Sequence, residues 1–390
     1  MTKAALLLPV AFAVLLFRDG LTSYVGSPLA VPFLLAVAFL ELFAESIYAG
    51  LHGEQRVGRA ELSLFANVAG KVAVWFVLLS LGYGLGGLLV GLLVGSGLQI
   101  LVGLRFLSIR PAMPARRHFE SLFQFSRYSW LGALRERAWI WTDTLVLGFF
   151  VSAEFVGVYE LSWRLSAAFF LVASAISSTL FANVDLLQRR DGRAAVRDVV
   201  EESLVYTGIV AIPGVVGGLV VAKSLLSAFG PAYVVGYAAL ILLILARLFH
   251  SYEVVFAKVI NALDRPDLTF RADATFVTLN VVGNVLAIYA FGWVGAAVAT
   301  LVSMGVRTLL SYRFLHSLID VPIPRREILL EVLSAALMGG ALLYATDGVQ
   351  LTELETALVI GGGGVLYALL LLVFVGRVRT RVRRLVVGFV

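Results

Sequence analysis

The sequence predicts an all-α integral membrane protein, and three observations carry that prediction. Of its 390 residues, 60% are hydrophobic and 14% charged, where a soluble domain carries about 25% charged residues; the mean hydropathy is +0.94. The apolar residues gather into blocks of the ~20 residues a helix needs to cross a bilayer. Basic residues crowd alternate connections between those blocks, the pattern that orients helical membrane proteins.

About twelve transmembrane helices are expected, near 4–25, 29–50, 62–81, 84–104, 128–150, 156–182, 204–228, 233–258, 274–291, 293–312, 329–345 and 356–375. The first block is interrupted by Arg18 and Asp19. It reads as a span rather than a secretory leader, because Lys3 alone precedes the apolar run and no A-x-A-like site follows it. The basic connections lie near 51–61, 105–127, 185–202, 261–273 and 313–328, together with Met1–Lys3 and the tail "RVRTRVRRLVVGFV". The alternate connections "GYGLGG", "FGPAY" and "FGW" are very short, and the one near 346–355 is acidic through Asp347, Glu353 and Glu355. A multi-pass protein of the cell membrane with both termini cytoplasmic follows. No outer connection is long enough to hold an active site.

Composition excludes several chemistries. There is no cysteine, hence no thiolate nucleophile and no Cys-based metal or redox site. The four histidines, His52, His118, His250 and His316, lack ligand spacing, and no GxxxxGK[ST] occurs. The chain is therefore expected to be no enzyme, with no catalytic residue, cofactor or metal. The net charge of +6 lies where orientation and anionic lipid headgroups require it, so membrane lipids and not nucleic acid are the expected partners.

An internal repeat organises the chain. "LHGEQRVGRAELSLFANVAGKV" from Leu51 resembles "LDRPDLTFRADATFVTLNVVGNV" from Leu263. Arg59-Ala60-Glu61 answers Arg271-Ala272-Asp273, Asn67 answers Asn280, Arg105-Phe106-Leu107 answers Arg313-Phe314-Leu315, and Glu41 falls in register with Glu253, at an offset of about 210. Many transporters are built from such repeats, with the substrate site between the halves. Two helical lobes plus an extra C-terminal helix pair are expected, over 1–117, 118–315 and 316–390. The first lobe holds four helices, two fewer than the repeat predicts, so the spans near 128–150 and 156–182 lack counterparts and two N-terminal helices are expected to be missing.

"YSWLGALRERAWIWTDTLVLGFF", Tyr128 to Phe150, carries Arg135, Glu136, Arg137 and Asp143 in a stretch apolar enough to span. A charge at mid-bilayer costs about 2.5–3.5 kcal/mol on insertion scales, so these residues need partners or a water-filled cavity. Arg135 and Arg137 point about 200° apart on a helix and cannot both face one cavity. Glu160 and Arg164 in the next span sit i,i+4 and can neutralise each other. A second group, in "LARLFHSYEVVFAKVINAL", holds Arg247, His250, Glu253 and Lys258. Lys71, Lys223 and Arg307 lie nearer segment ends and are expected to snorkel.

"FQFSRYSWLGAL", "WTDTLVLGFFVSAEFVGVYELSWRL" and "LLSAFGPAYVVGYAALILLILARL" resemble the seventh to tenth helices of polysaccharide and oligosaccharide-lipid flippases, O-antigen flippase-like members of the multidrug/oligosaccharidyl-lipid/polysaccharide exporter superfamily. The "G-V-Y" after "TDTLVLGFF" is the most recognisable piece. The resemblance implies two six-helix lobes, from which this chain departs by its four-helix first lobe. It also implies alternating-access transport of a lipid-linked oligosaccharide or polysaccharide precursor, attached through phosphate or pyrophosphate to a polyprenyl tail. Arg135, Arg137, Asp143, Glu160 and Arg164 are then the candidate substrate-binding residues, because guanidinium holds phosphate oxygens through two donors and stays charged. Glu41, His250 and Glu253 are candidates for coupling to H⁺ or Na⁺. Two alternatives stand beside this one: a cation-coupled multidrug-type exporter of the same superfamily, and a non-transporting membrane scaffold.

Overall fold

The computed structural model describes residues 2–25, 28–108, 140–181, 184–346, 351–376 and 379. The chain divides into two compact units, Met1–Trp130 and Leu131–Val390. The first unit holds α1 (Thr2–Leu16), α2 (Arg18–Val25), α3 (Ala30–Gly53), α4 (Val57–Ser80) and α5 (Gly84–Phe106). In the second, α6 is described over Ile140–Phe150 and is followed by α7 (Ala153–Phe181), α8 (Val184–Ser227), α9 (Tyr237–Ala262), α10 (Pro266–Phe291), α11 (Gly295–Leu318), α12 (Arg325–Thr346) and α13 (Glu353–Phe374). Two 3-10 turns, Pro231–Gly236 and Gly292–Val294, lead into α9 and α11. Among the described residues, 8 stretches are long and apolar enough to cross a membrane, one of which, Pro266–Leu318, contains both α10 and α11.

Two expectations need correction. The first expected span, 4–25, is broken: α1 ends at Leu16 and α2 begins at Arg18, whose Nε donates to Asp19 Oδ1 at 3.2 Å. The basic connection expected near 185–202 is helix and not loop, because α8 runs for 44 residues from Val184 to Ser227. A crossing needs ~20 residues, so α8 carries its charged residues up to Glu202 on turns that precede its apolar part.

The repeat is visible in backbone detail. Between α3 and α4 the amides of Glu54, Gln55 and Arg56 donate to the carbonyls of Gly50, His52 and Leu51; between α9 and α10 those of Leu263, Asp264 and Arg265 donate to Val259, Asn261 and Ile260. The middle residue of each turn takes a left-handed conformation, φ 58° at Gln55 and 57° at Asp264. In both units the last helix of the trio packs on the other two, α5 on α3 and α4, and α11 on α9 and α10. A stripe of small residues at every fourth position allows that approach: Gly87, Gly91, Gly95 and Gly103 are buried on α5, and Gly295, Ala299, Ser303 and Ser311 on α11. A Cβ on Gly95 would stand 2.9 Å from the Asn67 carbonyl oxygen.

In the second unit α9 lies at the centre, packed against α7, α8 and α11, while α12 and α13 pack on α8. Its main core joins Val196, Val200, Val255, Val259 and Leu315. Outward faces carry Phe65, Phe76, Leu286, Leu358 and Val373, an apolar exterior that lipid covers without penalty.

Candidate substrate and coupling sites

The short connection after Phe150 returns the chain along α6, and α7 sets Tyr159 against Asp143 and Glu160 against Thr144. Asp143 is buried, 4% exposed, and accepts from Tyr159 Oη at 2.5 Å, Thr300 Oγ1 at 2.6 Å and Asn284 Nδ2 at 2.8 Å. Asn280 Nδ2 donates to Thr300 Oγ1 at 3.1 Å, so the hydroxyl relays between α10 and the carboxylate. Four helices thus meet at one acid, and three donors offset much of the cost of burying it.

On α7, Glu160 accepts a short hydrogen bond from Thr144 Oγ1. Its other oxygen lies 3.7 Å from Arg164 Nε, and the Arg164 side chain is 78% exposed. Among the described residues this loose, outlying pair leaves most guanidinium donors open to another acceptor. Arg247 of α9 is buried against another part of α7, with its guanidinium 4.2 Å from the centre of the Trp163 ring and its Nε donating to Ser166 Oγ at 3.4 Å. Arg135, Glu136 and Arg137 lie outside the described residues.

The second polar group spans α9, α10 and α11. Arg307 Nη2 is 2.7 Å from Asp273 Oδ1 and 3.3 Å from Glu253 Oε1. Ser311 Oγ donates to Glu253 Oε1 at 3.4 Å, and His250 Nδ1 lies 3.8 Å from Glu253 Oε2. Glu253 and Asp273 are fully buried, and the Arg307 side chain is 14% exposed. The expectation that Arg307 snorkels is therefore wrong, because two buried carboxylates hold it inward. Lys71 and Lys223 lie over the rings of Trp75 and Tyr237.

In the first unit, half-buried Glu41 accepts from Ser96 Oγ at 2.5 Å. Asn67 Nδ2 donates to Gln99 Oε1 at 2.8 Å, and Glu61 accepts from Tyr48 Oη at 2.7 Å. The structure therefore gathers Asp143, Glu160 and Arg164 at α6 and α7, joins His250 to Glu253, and holds Glu41 in the other unit. Sequence reasoning gave no site role to Arg307, to Asp273, which it read only as a repeat landmark, or to the donors to Asp143, although Arg307 continues the four-residue stripe of α11. Among the described residues no three His, Asp or Glu side chains converge as a metal site.

Residues 4–235 match a family described as polysaccharide biosynthesis protein. The probable flippase AglR of Haloferax volcanii is 34% identical over 351 residues, 87% of this chain and 72% of its own length. The probable low-salt glycan biosynthesis flippase Agl15 of the same organism is 30% identical over 341 residues, 86% of this chain and 72% of its own. Among solved structures, the lipid II flippase MurJ in an inward closed conformation is similar with a TM-score of 0.81 at 16% identity, covering 95% of this chain and 81% of that one. An outward-facing multidrug resistance MATE family transporter of the MOP superfamily gives 0.54 at 14% identity over 81% and 77%. At such identities these two likenesses describe fold.

Proposed function

This chain belongs to the polysaccharide biosynthesis protein family, and from that membership together with its geometry we propose that it moves lipid-linked oligosaccharide or polysaccharide precursors across the membrane by alternating access. The observation that carries the reading is the 34% identity to a probable flippase over 87% of the chain. The MATE likeness is weaker in fold, at 0.54 against 0.81. A drug-cation exporter also has no use for an exposed, loosely paired guanidinium on an apolar helix.

The finer assignments follow from chemistry. A polyprenyl phosphate or pyrophosphate needs permanent cations near its head group. We assign Arg164, together with whichever of Arg135 and Arg137 the sequence directs to the same cavity, to supply them, with Glu160 holding Arg164 in place until phosphate oxygens replace it. Asp143 is assigned to ordering α6 against α10 and α11, since its lone pairs are occupied by protein donors. Glu41, His250 and Glu253 remain candidates for the coupling cation, H⁺ or Na⁺. We assign both termini to the cytoplasmic side, a reading supported by the basic residues of alternate connections.

The test is reconstitution of the full chain in liposomes holding a fluorescent polyprenyl-diphosphate oligosaccharide, followed by quenching of the outward-facing probe. Quenching beyond the one-leaflet plateau of protein-free vesicles supports translocation; a plateau equal to theirs overturns it. Arg164→Gln is expected to lower the rate at least about tenfold, the loss of one bidentate charge-assisted contact, with unchanged yield, because the Glu160 it leaves is only part-buried. Arg164→Lys is expected to restore part of the rate, since charge is kept and the fork lost.

A further inference from the structure

Four carboxylates are buried among the described residues: Asp143, Glu253, Asp273 and Glu331. The first three have the hydrogen-bonding or cationic partners described above. Glu331, on the second turn of α12, is 0% exposed, and neither carboxyl oxygen has a hydrogen-bond partner among the described residues. Two more buried oxygens without a partner belong to the same neighbourhood, Tyr252 Oη of α9 and Tyr367 Oη of α13. Both tyrosines interact electrostatically with Glu331.

Gly208 of α8 makes the arrangement possible. A Cβ there would collide with Glu331 Oε2 and stand 2.8 Å from Tyr252 Oη, so any larger residue would fill the notch that receives both groups. Below it, Ile212, Ala335, Met338 and Leu371 close an apolar floor around Tyr367. Four helices thus enclose one carboxyl and two hydroxyls, without a cation among the described residues to neutralise the acid.

We propose that Glu331 is a proton-binding site of the transporter, taking up and releasing H⁺ in the notch formed by Gly208, Tyr252 and Tyr367. The proposal deepens the transport reading and rests on it for its purpose, because it adds to Glu41, His250 and Glu253 a further carboxyl for coupling and names H⁺ as the cation it binds. An unpaired charge in an apolar interior is the costliest state a side chain can occupy, and a carboxyl escapes that cost by holding a proton. A proton needs one acceptor, whereas Na⁺ or a divalent ion needs a shell of oxygens that one carboxylate and two hydroxyls do not complete. The groups facing Glu331 are Tyr252 from α9, Tyr367 from α13 and Glu327 one turn earlier on α12, while α8 presents Gly208. None is a lysine, arginine or histidine that would hold the carboxyl charged. The notch lies about 9 Å along α12 from Arg325 at 1.5 Å per residue, so exchange occurs from the side on which α12 begins. Release of the proton charges the carboxyl and loosens α12 and α13 from α8, which links protonation to the position of the C-terminal helix pair.

Infrared difference spectroscopy of the purified full chain, acid minus alkaline and without substrate, tests this. The native chain is expected to show a carboxylic-acid C=O band that Glu331→Gln lacks and Tyr252→Phe shifts in frequency. Should Glu331→Gln not purify as a single species, Glu331→Asp replaces it and must move the band. A spectrum of Glu331→Gln, or of Glu331→Asp in its place, that equals the native one overturns the proposal. So does a native chain that Na⁺ stabilises at fixed pH when Glu331→Gln is not stabilised. Because no substrate enters the experiment, its failure is separate from failure of the quenching assay, which alone decides transport.

Discussion

The trio α3, α4 and α5 and the trio α9, α10 and α11 have one helix order, one turn geometry and one small-residue stripe, yet they are locked differently. At the fourth position of the stripe α5 carries Gln99 and α11 carries Arg307. Gln99 completes a neutral pair with Asn67, while Arg307 bridges Asp273 and Glu253. The first acid of each trio follows suit: Glu41 meets the hydroxyl of Ser96, and Glu253 meets Arg307, Ser311 and His250. The same backbone therefore supports a weakly tied trio and one whose separation would strand buried charge. The proposed alternating access needs some helices to shift, and on that reading the first trio is the one that rearranges at lower cost.

The largest expected effect breaks the charged lock. Arg307→Met leaves Glu253 and Asp273 without their cation and is expected to cost about 3–5 kcal/mol, a fall in Tm in detergent on the order of 10 °C. The triple change Arg307→Met, Glu253→Gln, Asp273→Asn should recover most of it, since no charge is stranded. If the single and triple variants melt alike, the lock is not electrostatic. A smaller effect separates the two stripes. Gly295→Ala places a methyl against the backbone of Ala287 and is expected to cost about 1–3 kcal/mol, whereas Gly91→Ala meets the side chain of Trp75, which can turn, and should cost less. The reverse order in Tm would show that helix approach is not set by backbone contact. Least is expected of Gln99→Leu, about 0.6 kcal/mol and at most about 1.7, the range of interhelical hydrogen bonds in membranes. A loss as large as that of Arg307→Met would erase the contrast between the trios.

The sequence itself determined the all-α membrane class and the order of most spans, because apolar length is a local property that every crossing must satisfy, although the block at 4–25 breaks between Leu16 and Arg18. It also determined pairs that a single helix can close, Glu160 with Arg164 and His250 with Glu253, since i,i+3 and i,i+4 spacing places both members on one face. The repeat was legible through landmarks such as Asn67 and Asn280. Tertiary structure alone decided what each buried charge touches. The donors to Asp143 come from positions 284 and 300, Arg307 finds Asp273 on another helix, and Glu331 reaches a notch that only Gly208 on α8 could leave open. Helical periodicity gives the direction of a side chain from its own axis and says nothing about the neighbour standing there. In an apolar interior that neighbour decides whether a charge is a lock, a binding group or a site for a proton, because an unpaired charge there is too costly to persist.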